Sequence, residues 1–389
     1  MLSNRIQKIK PSATLAINAK AIELKAQGKD ILKFGTGEPD FDTPDHIKDA
    51  AKKALDDGFT KYTAATGITE LKEAVCRKFK EDNNIEYKAE NVIISNGGKQ
   101  ALFNAFMAIL NSGDEVIVPS PYWVSYADMV HVCDGEIITV DTTQNNFKLT
   151  AEMVAPAVTD RTKAIILNSP SNPTGYMIEE EEMRKIADMA LKYNFYIFSD
   201  EVYEYFVYDG KKMFSPASIS EEIKNITFTF NAVSKSYAMS GWRIGYVAGP
   251  LDVIKKMGSL QSHSTSNPCC IAQKAAVEAL NGPKDSVNEM AKAFAKRRDF
   301  VYEEMNTIPG WKLGKPEGAF YAFPDVSGAF TDEINDSFKF TEYLLEKTGV
   351  AVVPGGAFGS EGDKCIRFSY ASSMEDIKEG LRRIKELMS

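Results

Sequence analysis

The chain has 389 residues, of which 44% are hydrophobic and 26% are charged, a composition typical of globular proteins and unlike that of disordered or fibrous ones. Because single hydrophobic cores stop growing at roughly 250 to 300 residues, this length predicts two domains. The 54 Asp and Glu residues outnumber the 46 Lys and Arg residues, so the net charge is −8. This balance argues against nucleic acid or an anionic membrane as a partner, and any anionic substrate must be bound by a local group of cations.

The histidine and cysteine content narrows the chemistry further. His46, His131 and His263 are the three histidines, and their spacing matches neither a metal site nor a Ser-His-Asp hydrolase, so no metal is expected. The five cysteines include no C-x-x-C pair, which favours free thiols in a reducing compartment. No apolar run approaches the roughly 18 residues of a membrane span, and the first residues lack the apolar core of a signal peptide. We therefore expect a cytoplasmic protein with no membrane partner.

Seven short apolar runs, each bounded by turn residues, predict strands in the first two thirds of the chain. They begin at residues 91, 115, 136, 163, 195, 226 and 244. Most are separated by stretches of helical period, such as residues 98–110 and 180–194. This alternation predicts an α/β fold with a mostly parallel sheet and helices on both of its faces.

The remainder of the chain predicts a smaller α+β unit. Residues 285–306 have the pattern of one long amphipathic helix, and three further strands are expected in GAFYAFPDV, GVAVVPGGAF and CIRFSYASS. We place a large domain at residues 46–290. The small domain then combines residues 1–45 with residues 291–389.

Residues suited to ligand binding follow several predicted strands, where ligands bind in open α/β sheets. The segment Asn96-Gly97-Gly98-Lys99 opens a helix, and its backbone N–H groups could hold a phosphate, although a simple glycine turn has the same pattern. Asn172 follows the strand predicted at residue 163, and Asp200 and Tyr203 follow the strand predicted at residue 195. Each has an ordinary alternative: Asn172 as a turn residue, Asp200 as a solvated loop acid and Tyr203 as a core aromatic.

A lysine and an arginine stand out after the strand at 226. In NAVSKSYAMSGWRIGY, Lys235 is flanked by small hydroxyl residues in an otherwise apolar stretch, and Arg243 follows eight residues later. A surface lysine usually has more polar neighbours. This setting indicates a functional amine.

Together these runs resemble the fold type I, class I aminotransferases that use pyridoxal phosphate, in the bacterial aspartate aminotransferase branch. The resemblance covers nearly the whole chain and implies the PLP-dependent transferase fold type I, with pyridoxal 5'-phosphate as cofactor. The motifs that carry it are FGTGEPDFDTP at 34, KYTAATGITELKEA at 61, SNGGKQALFN at 95, PSPYWVSY at 119, NSPSNPTG at 168, SDEVYEYFVYDG at 199, SKSYAMSGWRIGYVAGP at 234, PEGAFYAFPD at 316 and IRFSYASS at 366.

The resemblance assigns roles around the cofactor. It implies that Lys235 bonds covalently to the cofactor aldehyde, which suits an amine of lowered pKa, and that this lysine and Asp200 and Tyr203 are catalytic. Asp200 would keep the pyridine nitrogen protonated, while Tyr203 and Asn172 would donate hydrogen bonds to the ring 3'-oxygen. The other implied cofactor contacts are Trp123, which stacks on the ring or is simply a core residue, Arg243, Gly98 and Lys99 at the phosphate, and Ser234.

The resemblance also assigns substrate contacts and a partner. It implies that Arg367 pairs with the substrate α-carboxylate, a surface ion pair being the alternative, and that the Gly37 backbone lies against the substrate, which Trp123 and Asn172 also contact. Tyr62 would reach the phosphate in the neighbouring subunit, so a homodimer with shared active sites is expected. The candidates for the far end of the substrate are Lys10, Ser12, Thr14 and Lys99.

The implied reaction is transamination of L-aspartate with 2-oxoglutarate, giving oxaloacetate and glutamate, with prephenate as a further hypothesised acceptor. The partners are thus amino acids and 2-oxo acids, not nucleic acid. An aromatic amino acid aminotransferase or a pyridoxal phosphate-dependent β-lyase of the same fold is the alternative, because both share Lys235, Asp200 and Arg367. The resemblance further implies cis peptide bonds before Pro121 and Pro173.

Overall fold

The computed structural model of the chain describes residues 2–9 and 13–389, and its largest sheet has seven strands. The strands of the structure are β1 Leu32–Lys33, β2 Val92–Ser95, β3 Glu115–Ser120, β4 Glu136–Asp141, β5 Thr162–Asn168, β6 Tyr196–Asp200, β7 Thr227–Ala232, β8 Gly245–Ala248, β9 Tyr321–Ala322, β10 Val350–Ala351, β11 Val353–Pro354 and β12 Ile366–Ser369.

The helices that surround these strands include the long one predicted near residue 285. They are α1 Asn4–Gln7, α2 Ala13–Ala26, α3 Asp45–Asp56, α4 Thr69–Asn83, α5 Gly98–Ile109, α6 Ser125–Val132, α7 Ala151–Val154, α8 Glu180–Tyr193, α9 Glu221–Lys224, α10 Val233–Ser236, α11 Leu251–Ser264, α12 Cys270–Asn281, α13 Asp285–Met305, α14 Ser337–Thr348 and α15 Met374–Met388. In the described part of the chain, no helix combines the length and the apolar character that a membrane crossing requires.

The large sheet has the strand order β2-β8-β7-β6-β5-β3-β4. Strand β8 runs antiparallel to both of its neighbours, and every other pairing is parallel. All seven strands predicted in this part of the sequence are present, and the predicted mostly parallel sheet is confirmed.

Helices cover both faces of this sheet. Since alternate residues of each strand point to opposite faces, neighbours in one strand pack against different helices. Val116 and Val118 of β3 pack in one apolar cluster with residues of α5, α6 and α11. Ile117, between them, packs in another cluster with residues of α8. This burial on both faces explains why the strands are almost continuously apolar in sequence.

The C-terminal strands form two small sheets. Strand β1 pairs in parallel with β10, and β11, β12 and β9 form an antiparallel sheet. The run GVAVVPGGAF therefore supplies two strands, where one was predicted, because β10 and β11 pair with different partners. Phe34, next to β1, stacks on Phe368 of β12 with ring centroids 4.2 Å apart. Helix α13 crosses the expected domain boundary at residue 290, and the division into domains stays a prediction.

The carboxyl ends of the parallel strands meet at one edge of the large sheet. Asn168 of β5 lies opposite Asp200 of β6, and Ala232 of β7 lies opposite Gly245 of β8. Cis peptide bonds precede Pro121 and Pro173 at this edge, as predicted, and a third precedes Pro170. The candidate residues that follow these strands are thereby brought together.

Candidate active site

Lys235 lies in the short helix α10, directly after β7. Its Nζ donates a hydrogen bond to the carbonyl oxygen of Gly37. Burial lowers the pKa of the Lys235 amine to about 8, with Arg367 and Arg243 acting in the same direction against the opposing charges of Glu38 and Asp200. Near neutral pH, this amine is much closer to its nucleophilic, uncharged form than an ordinary lysine is.

Asp200, the last residue of β6, is buried with 7% of its surface exposed. Its Oδ2 accepts a hydrogen bond of 2.6 Å from the hydroxyl of Tyr126, and its Oδ1 accepts a longer one, 3.4 Å, from the N–H of Val202. Burial raises the pKa of Asp200, whereas these two donors and the charge of Lys235 oppose the rise. A buried carboxylate of this kind is suited to pair with a cationic ring nitrogen.

Glycines and an arginine form a cradle for an anion at the start of α5. Gly97 has a φ of +84° and precedes the helix, so the first backbone N–H groups of α5 are free to bind a ligand. A Cβ at Gly97 would lie 2.3 Å from Nη2 of Arg243, which itself donates to the carbonyl of Ser240 through Nη1 at 2.8 Å. Gly245 is required here as well, because a Cβ there would lie 2.2 Å from the Gly98 nitrogen.

Trp123 and Lys99 lie beside each other. The ammonium of Lys99 is 5.0 Å from the centroid of the Trp123 ring, and that ring is perpendicular to the Tyr126 ring at a centroid distance of 5.3 Å. Desolvation and the positive charge of Arg243 lower the pKa of Lys99. The Trp123 ring and the Lys99 ammonium thus lie together, next to the Tyr126 side chain that donates to Asp200.

Arg367 of β12 is buried, with 3% of its surface exposed. Its Nη1 donates to Oδ1 of Asn172 at 2.9 Å, and its Nη2 donates to the carbonyl of Gly35 at 2.7 Å. The guanidinium carbon lies 4.6 Å from the ring centroid of Tyr321, and Nε has no hydrogen-bond partner among the described residues. A buried cation with a free donor is suited to a carboxylate ligand.

Tyr203, Ser234 and Gly37 complete the group. The hydroxyls of Tyr203 and Tyr321 are 2.8 Å apart, and both tyrosines are buried. Ser234 is buried directly before Lys235. A Cβ at Gly37 would lie 2.5 Å from the Tyr321 hydroxyl, so the absence of a side chain lets this segment pass close to the site.

Tyr62 is not brought into this group by contacts of the single chain, and the side chains of three other predicted residues lie outside the described part. Tyr62 has 92% of its surface exposed, and none of the hydrogen bonds or aromatic contacts within residues 2–9 and 13–389 joins it to the others. Lys10 and Ser12 lie outside the described residues. Thr14 lies in α2, and its side chain is outside the described part as well.

Residues 29–384 match the family described as aminotransferase class I and II. The chain belongs to this family. Among its relatives, it is 52% identical to a probable aspartate/prephenate aminotransferase of Aquifex aeolicus, over 100% of the chain and 98% of that protein. It is 50% identical to an aspartate aminotransferase of Bacillus sp. strain YM-2, over 99% of the chain and 98% of that protein. The structure of an aspartate aminotransferase from Thermus thermophilus with maleate superimposes with a TM-score of 0.95 at 45% identity, covering 100% of this chain and 99% of that one.

Aminotransferases of this family use pyridoxal phosphate, and the residues present fit that cofactor. The cradle at Gly97 and Arg243 has the donors that a phosphate requires, and a side chain at Gly97 would close it. Lys235 offers an amine of lowered pKa for the aldehyde, and Asp200 offers a buried carboxylate for the ring nitrogen. The pyridoxal phosphate cofactor predicted from the sequence is therefore confirmed by the family to which the chain belongs, and the residues of the site fit it.

Two tyrosines of this aminotransferase site were not predicted from the sequence. Tyr126 donates to Asp200, and Tyr321 touches Tyr203 and Arg367. Both lie in motifs that carry the family resemblance, PYWVSY and PEGAFYAFPD. Their position in those motifs was the available signal, but the identity of their partners depends on the tertiary fold.

Proposed function

We propose that this aminotransferase transfers the amino group of L-aspartate to 2-oxoglutarate, giving oxaloacetate and glutamate, and that prephenate is a further acceptor. The names of the relatives support this choice, since they include aspartate and aspartate/prephenate aminotransferases. The structure from Thermus thermophilus was described with maleate, a dicarboxylate, which is consistent with substrates that carry two carboxylates.

One observation carries the proposal. The amine of Lys235 and the guanidinium of Arg367 both donate to the same short backbone segment, at Gly37 and Gly35 respectively. A cation suited to an α-carboxylate therefore lies close to an amine suited to move the α-proton. This pairing favours α-amino acids as the substrate class.

The bound cofactor would supply an electron-accepting ring that stabilises negative charge at the substrate Cα. Lys235 would act as general base at the substrate Cα and, once protonated, as general acid that completes the proton transfer. Asp200 would hold the positive charge at the ring nitrogen, and Tyr126 would keep its carboxylate oriented. Arg367, held by Asn172, fixes the carboxylate of the substrate.

The remaining residues have supporting roles in this proposal. Tyr203 and Asn172 would donate hydrogen bonds to the ring 3'-oxygen, Trp123 would pack on the ring, and Arg243 would bind the phosphate with the backbone N–H groups of Gly98 and Lys99. Ser234 would also bind the cofactor, and the Gly37 backbone would lie against the substrate. Lys99 also provides a charge for the second carboxylate of the substrate, with Lys10, Ser12 and Thr14 as further candidates.

A homodimer with shared sites is part of the proposal. Tyr62 is almost fully exposed in the single chain, which fits a side chain that serves the phosphate of a neighbouring subunit.

We place the protein in the cytoplasm. Its five cysteines are free thiols, and free thiols suit a reducing compartment.

A panel of half-reactions tests the substrate proposal. Purified enzyme loaded with pyridoxal phosphate is mixed with each amino acid in the absence of any 2-oxo acid, and the cofactor spectrum is followed. Aspartate and glutamate are expected to convert the cofactor fastest, and the Lys235→Ala variant is the inactive control. Faster conversion by phenylalanine or tyrosine would instead indicate an aromatic aminotransferase, and release of ammonia without conversion would indicate a β-lyase.

A further inference from the structure

A buried polar network lies beside the active site, between the end of β6 and the end of β7. Its main members are Lys78 of α4, Glu201, Glu204 and Asn231, which have between 0% and 7% of their surfaces exposed. Glu201 directly follows Asp200, and Asn231 comes four residues before Lys235. None of these four has a role in the reaction described above.

Asn231 joins the two strand ends. Its Nδ2 donates to Oε1 of Glu204 at 2.6 Å and to the carbonyl of Glu201 at 3.3 Å. Its Oδ1 accepts from the N–H of Ala232 at 2.7 Å. One side chain thus connects the backbone that leads to Lys235 with the backbone that follows Asp200.

Glu204 is in turn held by α4. Its Oε2 accepts hydrogen bonds from the ammonium of Lys78 and, at 3.1 Å, from the amide of Asn83. The Lys78 ammonium also donates to Oδ1 of Asn83 at 2.6 Å. The carboxylate that orients Asn231 therefore has little freedom to move, because each of its oxygens is committed to a donor.

Glu201 closes the network on its other side. Its Oε1 accepts from the hydroxyls of Ser199 and Ser215 at 2.7 and 2.6 Å, and its Oε2 accepts from Asn83 at 3.1 Å. Burial and the nearby Glu204 carboxylate raise the pKa of Glu201 to about 7. Lys78 and Glu204 thus form the ion pair of the network, whereas the Glu201 carboxyl is held by two hydroxyl donors and one amide donor.

A buried ion pair is a weak source of stability, since the loss of hydration offsets most of the attraction between the charges. Such groups are better suited to fixing a geometry than to adding free energy of unfolding. Here the geometry concerned is that of the two strand ends that carry Asp200 and Lys235.

We propose that Asn231 and Glu204 are positioning residues that hold the chain leading to Lys235 against the strand end that carries Asp200. The inference rests on the proposed function, because it assumes that Lys235 and Asp200 act on the same cofactor. It adds that their relative placement is set by the hydrogen bond from Asn231 to Glu204.

Two single substitutions disrupt the hydrogen bonds of the Asn231–Glu204 pair and of the Lys78 ammonium that holds it, without changing the size of the side chains. Asn231→Asp places a carboxylate against the Glu204 carboxylate. Glu204→Gln presents an amide N–H either to the Lys78 ammonium or to the Asn231 amide, so two donors face each other in both orientations. Each variant is expected to lower kcat about tenfold to hundredfold, as small displacements in active sites do, with KM changed less than about threefold.

The double variant Asn231→Asp with Glu204→Gln reverses the direction of the hydrogen bond. The new amide at position 204 can donate to the new carboxylate at position 231 and accept from Lys78, and the total charge of the network is unchanged. The longer 3.3 Å bond to the Glu201 carbonyl is not restored, because a carboxylate cannot donate. We therefore expect kcat to recover at least about threefold relative to either single variant without fully reaching the wild-type value. If Asn231→Asp does not fold, the double variant decides alone: a folded double variant with kcat as low as that of Glu204→Gln overturns the inference.

The pH titration of the cofactor's visible absorption band provides a readout other than activity. Its midpoint depends on the environment of Lys235, so we expect it to shift in both single variants and to return in the double variant. Tyr87→Phe is the matched control, because it removes a 3.3 Å hydroxyl contact to Thr229, two residues before Asn231 on the same strand. This control should lower only the melting temperature.

The same measurements separate this inference from the proposed function. Activity is assayed with whichever amino acid reacts fastest in the half-reaction panel. A wild-type protein that shows no absorption band with pyridoxal phosphate would overturn the proposed function. A wild-type band accompanied by single variants with unaltered kcat and unaltered titration would overturn the positioning role alone.

Discussion

The hydroxyl of Tyr126 donates a 2.6 Å hydrogen bond to Oδ2 of Asp200, and both side chains are buried. Burial raises the pKa of Asp200, and the hydrogen bond from Tyr126 is the largest opposing influence. The pKa of Tyr126 itself is raised well above its usual value by burial and by the Asp200 charge, so the phenol remains a donor at every pH of interest. Tyr126 therefore helps to keep the Asp200 carboxyl ionised.

Replacing Tyr126 by Phe should raise the pKa of Asp200 further. Because the reaction requires the ionised carboxylate, the acidic limb of the kcat profile should move to higher pH. A hydrogen bond to a charged group contributes about 1.5 to 3 kcal/mol, so we expect a loss of roughly tenfold or more near neutral pH. Tyr208→Phe, which removes a buried hydroxyl bonded to the Ala319 carbonyl, is the control. An acidic limb that stays in place would show that Tyr126 does not influence Asp200.

The Asp200→Asn substitution tests the carboxylate itself. An amide cannot hold a positive charge at the ring nitrogen, so kcat should fall at least about a hundredfold. The one oxygen of the asparagine amide can take the place of Oδ2 and accept from Tyr126, so the melting temperature should change little. A variant with wild-type kcat would assign the role to another residue.

The lowered pKa of Lys235 predicts a reactive amine. In the cofactor-free protein, acylation of Lys235 measured by peptide mass spectrometry should reach half its maximal rate near pH 8, because only the uncharged amine reacts and its pKa is about 8. A short lysine peptide added to the same reaction is the reference and should require a more alkaline pH. A midpoint for Lys235 as high as that of the reference peptide would contradict the burial effect.

Borohydride treatment of the loaded enzyme should then fix the cofactor on Lys235 alone. Lys235→Ala should keep some affinity for pyridoxal phosphate through Arg243 and Asp200, but it should lose turnover, because the amine is also the proton carrier. Label on a second lysine would refute the assignment.

The strands of the large sheet could be predicted because their burial follows from local sequence. Val116, Ile117 and Val118 are apolar in succession, since helices cover both faces of β3. The pairing of β1 with β10 was not predicted, because two residues, Leu32 and Lys33, give no strand pattern and their partner is more than 300 residues away. In general, local patterns indicate elements, and they say little about which distant elements pair.

The same distinction holds for the candidate site. Asp200 and Asn172 could be proposed from their positions after strands, and Lys235 from its apolar setting. The contacts of Tyr126 with Asp200 and of Tyr203 with Tyr321 join residues 74 and 118 positions apart, and no spacing rule reports them. The Asn231 network was missed for the same reason, since a buried Lys78 looks like any other helical lysine in the sequence.

A shared active site can be tested by combining two defective chains. Tyr62→Phe should weaken retention of pyridoxal phosphate, and Lys235→Ala should abolish turnover. In a hybrid dimer with one chain of each kind, one site contains neither defect if Tyr62 serves the neighbouring subunit. Hybrids isolated with two different affinity tags should then have about half the wild-type activity and wild-type cofactor affinity at that site. A hybrid in which the active site keeps the weak affinity of Tyr62→Phe would place Tyr62 in its own subunit, and a fully active monomer in sedimentation would refute the dimer.

The final prediction concerns the second carboxylate of the substrate. The ammonium of Lys99 lies over the Trp123 ring, 5.0 Å from its centroid, next to the Asp200 and Tyr126 pair. A compact charge in this place can attract the side-chain carboxylate of aspartate, but it offers nothing to a neutral side chain. Lys99→Ala should therefore lower kcat/KM for aspartate by about tenfold to hundredfold and leave that for alanine within about threefold.

The control for this substitution is Lys255→Ala, an exposed lysine on α11, the helix that packs against α5. It should alter neither substrate, because its charge lies outside the site. Since Lys99 also contributes a backbone N–H to the proposed phosphate cradle, the affinity for pyridoxal phosphate is measured in parallel, and it should be retained because the substitution leaves that N–H in place. Equal losses on aspartate and alanine would mean that Lys99 supports the cofactor and not the choice of substrate, and the selectivity for dicarboxylates would then depend on the N-terminal candidates Lys10, Ser12 and Thr14.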